Sequence, residues 1–289
     1  MTEILNVLTG RYRVCQKMNY LRYAMSGREN VLGYKPVVLS IVATTKCTLS
    51  CDMCPTHSKA VPAGYRWRQT GTRDMDFALF KKAVDLFREA LSVHIIGSGE
   101  PLLNLDFYRM VEYASRERRM ETKTFSNGTT IGENTERLLT SRLDGITVSV
   151  NGHNAGEFTR LTGMDGGVFE KICRDTKTLA AEKKRRKRPL SVKLSFIVDR
   201  ENFKAVPQMV ELAQEIGADR VFLCNFLPCP YGDLTPRKRV INFDDDEIAS
   251  FLREYSRGMP RHLRGKIEFP ALINSRMAEN KCDVHFRQV

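Results

Sequence analysis

Cys47-Thr48-Leu49-Ser50-Cys51-Asp52-Met53-Cys54 stands a few residues beyond the apolar run Val37-Val38-Leu39-Ser40-Ile41-Val42. The run is short and rich in β-branched residues, which predicts a buried strand with the cysteines in the loop that follows it. The same alternation continues downstream. Phe77, Phe80, Val84, Phe87 and Leu91 recur at helical spacing, with Asp74 or Asp76 placed as a cap. Val93-His94-Ile95-Ile96 reads as a second strand ended by Gly97. Leu105 to Arg118 reads as a helix and Thr122 to Ser126 as a strand. Glu133 to Ser141 follows as a helix and Gly145 to Val150 as a strand. Phe169, Ile172, Thr176 and Leu179 share one helical face ahead of a strand from Ser191 to Val198. Phe203, Val206, Val210 and Ala213 mark a helix with Pro207 in its first turn and Gly217 at its end, before a strand at Val221-Phe222-Leu223.

Strands that alternate with helices imply right-handed crossovers and a parallel sheet. Six such units are too few to close an eight-stranded barrel. The expected fold is therefore α/β, a partial (β/α)6 TIM-like barrel over residues 36–226. A short N-terminal helical segment, 1–35, precedes it and a C-terminal extension, 227–289, follows. Within the extension, Pro228 to Arg239 is loop-like and basic. Asp244 to Tyr255 reads as a helix and Lys266 to Phe269 as a short strand. In parallel barrels reactive groups gather at the C-terminal ends of strands, and each motif below falls just after a strand.

Composition narrows the class. The 289 residues suffice for one large domain or two small ones. No stretch approaches the roughly 20 apolar residues that span a bilayer. Charges break up Met1 to Arg13, which holds no clear signal-peptide core. A cytoplasmic protein with no membrane partner is expected. Eight cysteines in a chain of this length do not suggest a disulfide scaffold, so the closely spaced ones point to metal. The net charge of +12 could attract phosphates, nucleic acid or an acidic redox partner. Part of that charge is the run Lys183-Lys184-Arg185-Arg186-Lys187-Arg188, read as a solvated helix end. No aromatic residues interleave it, so base stacking gains no support and nucleic acid is not expected as a partner.

C-x3-C-x2-C brings three thiolates to one face of a metal centre, a donor set that suits iron–sulfur clusters and zinc. On a four-iron cubane, three thiolates leave one iron open. A structural zinc needs a fourth ligand, which His57 could supply, giving a zinc-stabilised nucleic-acid-binding module as the alternative. Spacing alone leaves both open.

The pattern as a whole resembles the radical S-adenosylmethionine (SAM) superfamily. Cys51-Asp52-Met53-Cys54-Pro55 is similar to the branch with a C-terminal SPASM or twitch extension. The resemblance implies that Cys47, Cys51 and Cys54 hold a [4Fe–4S] cluster and that SAM chelates its open iron. Electron transfer would then release a 5′-deoxyadenosyl radical that takes hydrogen from substrate. Gly97-Ser98-Gly99-Glu100-Pro101 resembles the family's Gly-Gly-Glu-Pro motif, which holds the methionyl amine, with Ser98 in place of a glycine. Ser126-Asn127-Gly128 resembles its Thr-Asn-Gly segment. Ser149-Val150-Asn151-Gly152 resembles Ser-Ile-Asp-Gly, whose serine reaches the SAM carboxylate or ribose. Asn151 stands there for the usual aspartate, which puts a charge-based role at that position in doubt. Arg160, two residues before Thr162, is expected to take over carboxylate binding from an arginine that relatives carry at that point. Met53 is expected against the adenine.

The resemblance implies an oxidoreductase acting on a peptide or small-molecule substrate, with flavodoxin or ferredoxin as electron donor. Cys15 and Cys173 read as inert core residues, and Cys224 and Cys229 as structural. Cys282 resembles the first cysteine of a SPASM or twitch domain. No cysteines follow it, so truncation before an auxiliary-cluster domain is the expectation.

Overall fold

The computed structural model describes residues 2–26, 32–59, 61–65, 68, 70–226, 241 and 245–270. The Pro228–Arg239 loop, Cys229 and Cys282 lie outside these residues. In order, the chain forms α1 (Thr2–Thr9), α2 (Val14–Met25), β1 (Val38–Thr44), α3 (Phe77–Leu86), β2 (Ser92–Gly97), α4 (Phe107–Glu112) and β3 (Glu121–Ser126). Then come α5 (Ile131–Thr140), β4 (Gly145–Ser149), α6 (Ala155–Thr162), α7 (Gly166–Arg185), β5 (Ser191–Val198), α8 (Val206–Ile216), β6 (Arg220–Asn225), α9 (Asp246–Gly258) and β7 (Ile267–Glu268).

Local chemistry sets the helix ends. Asp76, not Asp74, caps α3 by accepting the Leu79 N–H at 2.8 Å. Asn154 and Asp165 do the same for α6 and α7. Gly217 ends α8 in the left-handed conformation, as its place in the sequence predicts.

The strands lie in one parallel sheet in the order β1-β2-β3-β4-β5-β6-β7. When right-handed crossovers always step to the next strand, every helix falls on the same face. Burial along the strands follows from this. Val93, Ile95, Thr122, Ile146, Val148, Val192, Leu194 and Leu223 face the helices and are buried. Alternate residues point the other way: Lys123, Lys193 and Phe222 are half-buried, and Val42 and Phe125 remain 45% and 39% exposed. The core lies between sheet and helices, around Phe80, Phe107, Met110, Phe158 and Phe196. Side chains of this size each contribute about 1.5–3 kcal/mol on burial.

The structure bears out a partial barrel and adds detail. The short strand expected at Lys266–Phe269 joins the sheet as β7, pairing with Val221 and Phe222. The helix expected from Leu105 to Arg118 is α4 followed by a π turn, Tyr113–Glu117. That wider turn aims both Tyr113 and Arg118 at Asp85, which accepts from the Tyr113 hydroxyl and from Arg118 Nε at 2.6 Å. Helix α6 was not foreseen. Cys15 is exposed on α2 and is no core residue, while Cys173 does pack against the core.

The N-terminal helices sit across the strand entries. Gln16 Nε2 donates to the carbonyls of Ala90 and Arg118 at 2.6 and 3.1 Å, just ahead of β2 and β3. Arg11 reaches the Met120 carbonyl at 2.9 Å and Asp144 at 2.6 Å, ahead of β3 and β4. The opposite edge, at the strand exits, is left to the motif loops.

Candidate functional site at the strand exits

The chain enters the cysteine loop through a fixed joint. Pairing of β1 with β2 shifts register between Val42 and Thr44. Asp74 accepts from Thr44 Oγ1 at 2.5 Å and from Lys46 Nζ at 2.6 Å, and Thr45 N donates to the Arg73 carbonyl at 2.9 Å. The loop is held at its middle too, because Asp52 N donates to the Thr162 carbonyl at 3.0 Å. Gly163, which ends α6 with φ 69°, makes this seat possible. A Cβ there would meet Asp52 Oδ2 at 2.4 Å, and the left-handed backbone disfavours other residues in any case.

Cys47, Cys51 and Cys54 are half-buried free thiols within one loop. Burial raises the Cys47 thiol and pushes Cys51 up to about 12, with the neighbouring cysteine sulfurs adding to the effect. The bare thiols of Cys47 and Cys51 therefore hold their protons more tightly than a free cysteine, and a thiolate forms when a metal takes the proton's place. Donors already face two of the sulfurs. Asn127 Nδ2 is 3.5 Å from Cys47 Sγ. His57 N is 3.4 Å from Cys54 Sγ, and Thr56 Oγ1 is 3.2 Å from it. Hydrogen bonds to sulfur are what iron–sulfur clusters use to set their potential. Met53 is half-buried between the second and third cysteines. Among the described residues, no three His, Cys, Asp or Glu side chains close on a single point that could hold one metal ion. A cubane takes one thiolate per iron, so its three ligands need not meet at one point.

The segment after β2 packs directly on this loop. Glu100 N donates to the Lys46 carbonyl at 2.7 Å, and Gly99 N to the Thr44 carbonyl at 3.3 Å. A Cβ on Gly99 would lie 1.9 Å from the Lys46 oxygen. Gly99 is thus required for contact between two backbones. Pro101 opens a tight 3-10 turn, Pro101–Leu103, and is buried.

Glu100 is fully buried. Its Oε1 accepts from Leu102 N at 3.1 Å and Ser126 Oγ at 3.0 Å, and its Oε2 from Asn127 N at 2.6 Å. Burial lifts its carboxyl to about 7 against the pull of these donors. Glu100 therefore ties the ends of β2 and β3 together, where an open carboxylate awaiting an ammonium was expected. Ser126 is also internal, donating to Glu100 and accepting from Gly128 N at 3.0 Å.

Two further expected contact residues have partners within the protein. Arg160 is bound by three carboxylates: Glu157 at 2.7 Å, Asp199 at 3.4 Å, and Glu201. Its guanidinium is spent on joining α6 to the end of β5, so it is not available to take a carboxylate from a ligand. Ser149 Oγ pairs with Ser195 Oγ at 3.3 Å across β4 and β5. Asn151 lies just beyond with φ 61°, a conformation that asparagine tolerates well. Cys224, at the end of β6, bonds the Phe196 carbonyl at 3.2 Å, and burial pushes it up to about 11.

Beside the third cysteine, two buried polar atoms have no hydrogen-bond partner: Ser98 Oγ and His57 Nε2. Thr56 Oγ1 donates to the Ser98 carbonyl at 3.2 Å and so ties their two segments together. Native proteins seldom leave such atoms unsatisfied, and a polar group of a bound cofactor would satisfy them. The residues present fit both groups that the cysteine pattern implies. Thr48, Thr129, Thr56 and Asp52 were not singled out from sequence, though Thr48 lies inside the cysteine motif and Thr129 directly follows Asn127-Gly128.

Comparison with known proteins agrees with this geometry. The model of the Radical SAM superfamily matches residues 41–213, more than half of the chain. PqqA peptide cyclase of Granulibacter bethesdensis is 28% identical over 192 residues, which is 66% of this chain and 47% of that protein. A probable GTP 3′,8-cyclase of Saccharolobus islandicus is 25% identical over 224 residues, 75% of this chain and 65% of that one. The chain spans about half the length of the peptide cyclase. Among solved structures, Streptococcus suis SuiB bound to S-adenosylmethionine superposes with a TM-score of 0.61 at 17% identity, covering 82% of this chain and 51% of that one.

Proposed function

The chain belongs to the radical SAM superfamily, and on that premise we propose that Cys47, Cys51 and Cys54 are the ligands of its [4Fe–4S] cluster and that SAM binds beside them at the exits of β2, β3 and β4. Held there, the two groups would supply one-electron reductive chemistry for taking hydrogen from a substrate.

The protein's part is to hold and orient. Lys46, Thr44 and Asp74 fix the entry to the cysteine loop. The Thr162 carbonyl and Gly163 seat its middle. Glu100 draws the ends of β2 and β3 together, so that Asn127 faces Cys47. Ser98 and His57, on segments that Thr56 joins, each carry a buried polar atom with no partner in the protein. The observation that carries the reading is this loop: three free thiols at a strand exit, with N–H donors on two of the sulfurs.

A peptide or protein is the substrate class we favour, and the support is a relative named as a peptide cyclase. A small metabolite is the other possibility, supported by the relative named as a probable GTP cyclase. A flavodoxin or ferredoxin would supply the electron, and a surface with net charge +12 suits an acidic donor of that kind. Residues 36–226 would form the catalytic barrel, 1–35 the segment across the strand entries, and 227–289 an extension. A cytoplasmic location is the reading we favour; no helix among the described residues is long and apolar enough to cross a membrane.

Anaerobic reconstitution tests the assignment. The wild type should bind four irons and release 5′-deoxyadenosine when given reductant and SAM. Changing Cys47, Cys51 and Cys54 together to alanine should abolish both. Undiminished release by that triple variant would falsify the cysteine assignment. Deuterium from a labelled peptide pool appearing in 5′-deoxyadenosine would identify the substrate class. Transfer only from labelled nucleotides or sugars would overturn the peptide reading.

A further inference from the structure

The turn after β3 carries a hydrogen-bond cycle whose direction is fixed. Asn127 Oδ1 accepts from Thr129 N at 3.0 Å and from Thr129 Oγ1 at 2.7 Å. A backbone N–H can only donate, so the oxygen of the Asn127 amide must face Thr129. Its NH2 group must therefore face the other way, toward Cys47 Sγ at 3.5 Å and Thr48 Oγ1 at 3.0 Å. The remaining hydroxyl follows. Thr129 spends its proton on Asn127, so Thr48 donates to Thr129 Oγ1 across 2.6 Å. Thr48, Thr129 and Asn127 thus form a closed ring with one sense, and a single N–H leaves it for the cysteine sulfur.

The ring is braced from outside. Asn127 N is bonded to the buried Glu100 carboxyl at 2.6 Å. Lys171 Nζ holds the Thr129 carbonyl at 2.5 Å and Asp175 at 2.9 Å. Gly128 sits with φ 82° where a Cβ would meet Ile172 and Val148. A turn pinned on three sides is more than Asn-Gly needs to reverse a chain.

We propose that Asn127 is a positioning residue for the Cys47 corner of the cluster, donating a fixed amide N–H to that thiolate and so raising the cluster's reduction potential. The proposal rests on the assignment of Cys47, Cys51 and Cys54 to the cluster. A reduced cluster carries one more negative charge than an oxidised one, so a donor to sulfur stabilises the reduced form more. Cys54 has a donor from its own loop, His57 N. The side-chain donor to Cys47 comes from the turn after β3 and can be removed without changing a residue of the cysteine loop, at the cost of one further bond, to Thr48 Oγ1.

The test is an EPR-monitored redox titration of the anaerobically reconstituted protein, together with its iron and sulfide content. Asn127→Asp keeps the oxygen that Thr129 needs and keeps the turn, but replaces the donor with a second oxygen. Asn127→Ala removes the amide. The midpoint should fall in Asn127→Ala and fall further in Asn127→Asp, with four irons retained. Thr129→Val keeps the backbone donor to Asn127 Oδ1 but loses the hydroxyl that is its second donor and the acceptor for Thr48, which opens the ring and loosens the amide, and should give a smaller fall in the same direction. An unchanged midpoint in an Asn127 variant that holds its cluster overturns the proposal. Should neither Asn127 variant hold a cluster, the Thr129→Val midpoint decides, and no shift there overturns it equally. Failure of the wild type to form a cluster would instead refute the cysteine assignment.

Discussion

Replacing Gly99 by alanine places a methyl group 1.9 Å from the Lys46 carbonyl oxygen, where contacts below 3.0 Å are essentially never seen. The obstacle is backbone, so no side-chain rotation relieves it. The segment after β2 must retreat by roughly an ångström from the start of the cysteine loop. Two hydrogen bonds span that seam, from Glu100 N to Lys46 at 2.7 Å and from Gly99 N to Thr44 at 3.3 Å. Leaving a buried partner unsatisfied costs about 1–3 kcal/mol for each bond. Gly99→Ala should therefore lose about 2–6 kcal/mol. Urea unfolding is the assay. With a slope near 3 kcal/mol per molar for a chain of this size, the midpoint should drop by about 1 M, at unchanged slope. Gly71→Ala is the control, since nothing lies within 4 Å of its added Cβ. A Gly99→Ala midpoint within about 0.2 M of wild type would show that the two backbones are not pressed together as described.

Three further outcomes are expected. Arg160→Ala removes the cation shared by Glu157, Asp199 and Glu201 and should destabilise by about 1–3 kcal/mol, allowing for partial solvent screening, with Arg160→Lys between the two; an unaltered melting temperature would contradict this. Glu100 is weaker as an acid in the folded chain, at about 7, than in the unfolded one. Its contribution to stability is then complete below its ordinary range near 4.3 and is lost as pH rises through about 7. Carbon-13 NMR of labelled glutamate should find one carboxyl titrating near neutrality that disappears in Glu100→Gln, and none doing so refutes the burial argument. Gly163→Ala forces a left-handed backbone and presses on Asp52, so it should cost about 1–2 kcal/mol and speed iron loss to a chelator; equal rates would count against the seat at Thr162.

Much of the fold is legible in the sequence because the signals are local. Each strand of the parallel sheet is buried on its helix side, so Val93-His94-Ile95-Ile96 and Ser191 to Val198 declare themselves by apolar, β-branched content alone. Helix α6 is short and buries only Phe158, Leu161 and Thr162, too few residues for a period to show. The cysteine loop is equally legible, its three thiols falling within eight residues.

What surrounds the loop is harder to read, because its partners are distant in sequence. Glu100 turns inward for donors 26 and 27 residues away. The Arg160 partners Asp199 and Glu201 arrive from a loop 39 and 41 residues on. A motif names the residue types at a site. Whether a given carboxylate or guanidinium faces a ligand or a neighbour is decided by tertiary pairing.

The seam between α2 and the strand entries carries a consequence for synthesis. Gln16 waits for carbonyls 74 and 102 residues downstream, and Arg11 for a carboxylate 133 residues on. On a ribosome, α2 is made long before any of these partners exist. The helical pair can begin to dock once Ala90 has been made but gains its last partner only with Asp144, so the strand-entry end of the molecule is fastened in stages that track the growth of the sheet.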